Sequence, residues 1–206
     1  MIRIRLLLLS FLGIFLTGCA TITPPVTTYT LTLPSSATSR SLTPQSSLIL
    51  KLAGTQAAPS LSSKALFYLT DQQEVGAYLY SRWNDAPSMM MDRVLLATLD
   101  DKQLFSALAP KTSTTNSDLL LESTLSSFYH RIHEDKTSDA YIDITYILMD
   151  SKTRKTLASQ RFIITVPAAS RDARGGVTAF TKATHELSNQ CISWLTLTMK
   201  ENRWIK

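Results

Sequence analysis

Two cysteines and three histidines carry the most specific chemistry open to this chain of 206 residues, and they stand in unequal settings. Cys19 follows Leu16-Thr17-Gly18, so its thiol comes directly behind two small residues. A thiolate is a far better nucleophile than a hydroxyl at neutral pH, which suits this position to alkylation or acylation. Cys191 sits among apolar residues at helical spacing and reads as a small buried hydrophobe. With Cys19 consumed, it has no disulfide partner. His130 and His133, followed by Glu134 and Asp135, invite a zinc-type reading. Residues three apart on a strand point to opposite faces, however, so the two imidazoles cannot grip one ion without a bend. No metal is expected, and both histidines are expected on the strand surface. His185, beside Glu186, is expected to be an exposed polar residue. There is no G-x-S-x-G elbow, no H-E-x-x-H pair and no Walker motif, and Gly175-Gly176 lacks the spacing of a phosphate loop. No catalytic residue is assigned, and no enzyme is expected.

The surroundings of Cys19 give its chemistry a context. Arg3 and Arg5 precede an apolar run over residues 6–16, which is shorter than the roughly 20 residues a spanning helix needs. Charged start, apolar centre and small residues follow the order of an export signal. The closing Leu16-Thr17-Gly18-Cys19 resembles the lipobox of bacterial prolipoproteins, with Leu16, Thr17 and Gly18 as the recognition residues of the signal peptidase. That resemblance implies thioether acylation of the Cys19 sulfur and cleavage between Gly18 and Cys19. The plainer alternative is a secretory signal with an incidental cysteine, but such signals rarely place cysteine first after the cut. Each buried methylene adds about 0.8 kcal/mol, so two or three acyl chains anchor durably where one does not. Covalent lipid on Cys19 is the one non-protein group expected, with no other cofactor. Ala20 stands where an aspartate would resemble an inner-membrane retention signal, so the periplasmic face of the outer membrane is the expected location.

Composition then narrows the rest. Without residues 1–18 the chain is about 188 residues long, a length that suits a single domain. Its formal charge of +5 falls to about +3 once Arg3 and Arg5 leave, and the remaining basic residues are scattered rather than striped. No nucleic acid is expected as a partner.

Elements that could carry these residues follow from periodicity. Residues 19–47 are rich in Thr, Ser and Pro and read as a lipidated tether, with the alternating Tyr29-Thr30-Leu31-Thr32-Leu33 as one short strand docked on the domain. The domain proper is expected over residues 48–206. Strands are expected at residues 48–52, 65–69 and 75–80, the last two joined as a hairpin by Asp71-Gln72-Gln73-Glu74. Asn84 to Ser88, with Pro87, carries helix-start chemistry. The helix then runs to about Asp101, burying Met91, Val94, Leu95 and Thr98. Met89 and Met90 are read with it as core rather than as a lipid-contacting patch. A short extended piece is expected at residues 104–108. Long strands follow at Leu119–Ile132, 141–149 and 157–166, and the last two form a hairpin. In the middle one, Ile142, Ile144, Tyr146 and Leu148 face inward while Asp143 and Thr145 face water. Gly175-Gly176 opens a final helix whose Val177, Phe180, Thr184, Leu187, Cys191, Trp194 and Leu195 form one stripe. Together these give an α/β single domain: a mixed, largely antiparallel sheet packed by two principal helices.

Tyr78, Tyr80 and Trp83 gather at the hairpin and helix entry, and are the candidate partner-binding residues, because Tyr and Trp are enriched at interfaces. Ordinary packing of Trp83 at the helix start is the competing reading. The chain also resembles the auxiliary lipoproteins of ABC-type intermembrane transport systems, the PqiC-like family. The resemblance rests on Tyr29-Thr30-Leu31 soon after the lipobox, the tyrosine-rich hairpin ending at Arg82-Trp83, Pro87 before the Met-rich helix, and Phe105 near its end. Gly176-Val177, Ala179-Phe180 and Ala183 at the start of the last helix complete it. It implies a non-enzymatic accessory whose partners are an MCE-domain periplasmic protein and an ABC permease and ATPase complex, with a homo-oligomer left open. A structural lipoprotein that scaffolds outer-membrane proteins, lipopolysaccharide or a secretion complex is the rival class. A tethered hydrolase ranks below both, for want of a nucleophile and base.

Overall fold

The computed structural model describes residues 24–33 and 43–205. Leu16, Thr17, Gly18 and Cys19 lie outside the described residues, as do positions 34–42 of the expected tether.

One strand organises the whole sheet. β6 (Leu119–Ile132) pairs antiparallel along its full length with β7 (Ser138–Asp150), from Leu119 opposite Asp150 to Ile132 opposite Ser138. Its other edge is shared by two strands. β2 (Ile49–Ala57) runs parallel to the first half, Leu50 beside Leu119 and Ala57 beside Leu125. β3 (Ala65–Thr70) runs parallel to the last three residues, Tyr68 beside His130. From this fork the sheet continues on one branch to β5 (Ala107–Ala109), parallel to β2. On the other it continues to β4 (Val75–Trp83), antiparallel to β3, and then to β1 (Thr27–Tyr29), parallel to β4. β8 (Thr156–Pro167) closes the far side as the antiparallel partner of β7. The eight strands form one mixed sheet, as the α/β expectation had it.

Both helices cover the same face. α1 (Pro87–Lys102) packs on β2 and β5, α2 (Ala173–Glu201) packs on β7 and β8, and the two touch each other. α1 buries Met91, Val94, Leu95 and Thr98 as the spacing predicts, together with Met90 and Leu99, while Met89 is exposed. α2 buries Phe180, Thr184, Leu187, Cys191 and Leu195, with Val177 and Trp194 at the margin. Under the helices, Phe128 and Phe180 stack at 4.1 Å, and Trp83 meets both edge-on at 5.9 and 5.7 Å. Each such aromatic pair adds about 0.5–1.5 kcal/mol beyond its buried area.

Two irregularities position side chains. In β2 the register shifts between Leu52 and Thr55, where Gly54 takes φ +84°, a conformation glycine adopts without penalty. The freed Thr55 amide and hydroxyl both donate to Asp92 of α1, at 3.0 and 2.6 Å, locking helix to strand. In β6 the register shifts between Leu125 and Ser127, and the inward set passes from Leu119, Leu121, Ser123 and Leu125 to Phe128 and His130. A one-residue slip exchanges the two faces of a strand.

Several boundaries differ from expectation. β1 begins two residues earlier than Tyr29, although Leu31 is buried as its alternation suggests. β5 is confined to Ala107–Ala109, since Leu104 and Phe105 turn into the core after the helix. α2 starts before its glycines, at Ala173, because Asp172 supplies the cap. The glycines serve close approach instead: a Cβ on Gly176 would lie 2.6 Å from Nδ1 of His130, and one on Gly175 would lie 2.3 Å from the Ser170 carbonyl.

Candidate functional site

The three aromatic candidates separate in space. Trp83 is 1% exposed and belongs to the aromatic core, so the expectation that it lines a partner surface is corrected. The Trp83 amide donates to the Lys64 carbonyl and β1 lies on the strand's other side, and its side chain stands on the face that holds Phe128 and Phe180. Tyr78 is half-buried, its hydroxyl 2.7 Å from Nδ1 of His130 and 3.1 Å from the Arg171 carbonyl. Tyr80 alone of the three is at the surface, 41% exposed.

His130 also departs from expectation, being wholly buried. The β6 bulge reverses the alternation begun at Leu119, which carries His130 under the first turn of α2. The Arg171 carbonyl can only accept, so the single Tyr78 hydroxyl proton goes to it and the hydroxyl accepts from His130. This places the imidazole proton on Nδ1 and leaves Nε2 buried without a partner among the described residues. Burial lowers the His130 pKa, with Asp139 and Asp172 opposing. Burial, and then Asp172, push the Tyr78 phenol up to about 12.

His133 sits beyond the end of β6 in the opposite environment. Nδ1 is 2.9 Å from Asp71 and Nε2 is 2.8 Å from Asp139, so both nitrogens face carboxylates, an arrangement that favours the protonated ring. Hydrogen bonding, first to Asp139 and then to Asp71, raises its pKa. Asp139 also takes both arms of Arg131, at 2.7 and 3.0 Å, and that guanidinium lies 4.3 Å over the Tyr141 ring. Asp71 accepts the Glu134 amide as well, so the network clips the β3–β4 turn to the β6–β7 turn. Among the described residues no group of three or more His, Cys, Asp or Glu side chains is placed to hold a metal ion. His185 is half-buried rather than exposed, and its Nε2 donates to the Thr32 carbonyl at 2.8 Å. Cys191 is fully buried, which pushes its thiol far above the reactive range.

Among the surface depressions of the described residues, two carry exposed apolar or aromatic side chains near the helices and the first strands. A groove of about 720 Å³ runs between β8 and α2, with Phe162, Trp194 and Leu197 on its walls. A shallow depression elsewhere is lined by Tyr29, Tyr78, Leu79, Tyr80 and Arg174. Among the described residues no helix is long and apolar enough to cross a membrane.

The architecture defines an α/β module with helices on one sheet face and its first strand bound in at the edge that leads back toward Cys19. Solved structures share this fold. Protein XCC0632 of Xanthomonas campestris is 21% identical with a TM-score of 0.75, over 86% of this chain and 99% of that one. An uncharacterized protein is 13% identical with a TM-score of 0.65, over 84% and 99%. The hypothetical protein CT253 of Chlamydia trachomatis is 5% identical with a TM-score of 0.52, over 73% and 96%. No curated protein sequence matches the chain. Residues 29–191 match the family of the ABC-type transport auxiliary lipoprotein component, and the chain belongs to that family. Its role is therefore that of an accessory lipoprotein of an ABC-type transport system, attached to a membrane on the periplasmic side.

Proposed function

We propose that this lipoprotein is the outer-membrane docking component of an intermembrane lipid transport system of the ABC and MCE type, and that its own role is not catalytic. Acyl chains on Cys19 hold it at the periplasmic face of the outer membrane. Its α/β domain engages the MCE-domain protein that spans toward the inner-membrane permease and ATPase. Energy comes from ATP hydrolysed by that complex. The observation that carries the reading is the order of two signals: a lipobox ending at Cys19, then the family region beginning at Tyr29. Ala20, in place of an aspartate, supports the outer membrane as the destination.

The test is affinity purification of the full-length lipoprotein from detergent-solubilised membranes. The expected companions are an MCE-domain protein and, through it, the permease and ATPase. Recovery of outer-membrane assembly proteins with no transporter component would replace this reading with the scaffolding one.

A further inference from the structure

The reach of the anchor is set by where the chain first becomes part of the body. Thr27, Thr28 and Tyr29 run parallel beside Ser81, Arg82 and Trp83. The Asn84 amide donates to the Tyr29 carbonyl at 2.7 Å, Leu31 is 5% exposed, and His185 holds the Thr32 carbonyl. Cys19 stands eight positions before Thr27. Eight residues span at most about 26–29 Å when fully extended. The domain is therefore held close to its bilayer, because the docked first strand ends the free stretch of the tether.

The surface at that point is apolar. Because β1 and β4 are parallel and Thr27 pairs with Ser81, Val26, just before Thr27, lies level with Tyr80 and Leu79 in the middle of β4. These three are 49%, 76% and 41% exposed. Arg82, Arg171 and Arg174 are exposed nearby. The neighbouring acid, Asp172, is engaged by the Gly175 amide and the Ser170 hydroxyl, both at 2.8 Å. Tyrosine favours the membrane interface, and arginine beside it suits lipid phosphates.

We propose that the corner formed by Val26, Leu79 and Tyr80 rests in the interfacial layer of the bilayer that holds Cys19. This rests on the reading that Cys19 is acylated. The anchor makes the contact intramolecular, so a weak apolar surface suffices and fixes which end of the domain faces the lipid. The opposite sheet edge, where Ile163 of β8 is 52% exposed, then faces away.

The experiment uses the full-length lipoprotein carrying Leu79→Cys or Ile163→Cys, spin-labelled and placed in vesicles of phosphatidylcholine and phosphatidylglycerol. Both positions are exposed, so neither substitution threatens the fold, and buried Cys191 does not take the label. The expected result is that the label at 79 loses contact with a water-soluble nickel complex and gains contact with lipid-dissolved oxygen, while the label at 163 does neither. Intact mass read on the same sample separates the failures. Acylated protein with a water-exposed label at 79, or with both labels in lipid, overturns the contact alone. Absence of acyl mass removes the anchor reading and the contact together. Shielding of 79 only after an MCE-domain protein is added assigns the corner to protein docking, and also overturns the proposal.

Discussion

His133 has a carboxylate on each ring nitrogen, while His130, three residues earlier, is buried against Tyr78 with one nitrogen that has no partner among the described residues. The ordinary histidine value is about 6.5. A raised folded value means that the His133 contribution is complete below about 6.5 and is lost as pH rises through the folded value. A lowered one means that the His130 contribution is complete above about 6.5 and is lost as pH falls through the folded value. We expect the melting temperature to decline above pH 6.5 through His133, and His133→Gln to lower it on the acid side and so flatten that decline. Thermal melts from pH 5 to pH 9 check this, and an unchanged alkaline slope in the variant would remove His133 as its source. Neither histidine's environment was legible in the sequence. The turn-to-turn clip of Asp71, His133 and Asp139 joins residues far apart in the chain, and the β6 bulge that turns His130 inward leaves no compositional mark.

Helix α2 shows what a single cap controls. Asp172 accepts the Gly175 amide, and this bond, followed by that of Ser170, holds its carboxyl below the usual range. Replacing an N-cap aspartate by alanine costs roughly 1 kcal/mol, within about 0.5–2. Asp172→Ala should therefore lower the urea midpoint with an unchanged slope, whereas an unchanged midpoint would show that the cap is dispensable. Strands and helices were legible wherever period alone decides: the α2 stripe, the β7–β8 hairpin and β6 all stand where alternation and helical spacing put them. The parallel pairings were not, because the contacts of β2 and β3 with one edge of β6, and of β1 with β4, depend on the packing of distant segments. Trp83 packs at the helix entry, as an aromatic in that place more often does, and the β3–β4 register shift that precedes it was not legible.

At the scale of the whole protein, the family and the fold class were both readable before any coordinates, because motif order and element order survive where individual residues do not. The lipobox carries the remaining expectation. Cys19→Ala removes the sulfur that receives lipid, so the variant should persist as an uncleaved precursor in the inner membrane, heavier by residues 1–18 than a cut chain. Membrane fractionation with intact mass checks this, and normal processing with outer-membrane recovery of the variant would rule the anchor out.

The short pairing of β1 with β4 also has a mechanical side. With Cys19 acylated as proposed, a tug on the anchor meets this ladder of three residues long before the thirteen-pair ladder of β6 and β7. If the strand peels away, buried Leu31 and the Thr32 carbonyl held by His185 come next, and beyond them, among the described residues, the Gln45 amide on the Gln103 carbonyl. Gln45 stands twenty-six positions beyond Cys19, against eight for Thr27, a distance of at most roughly 90 Å of contour. The first strand is thus the place where a pull on an anchor at Cys19 would lengthen the chain before it reached β2.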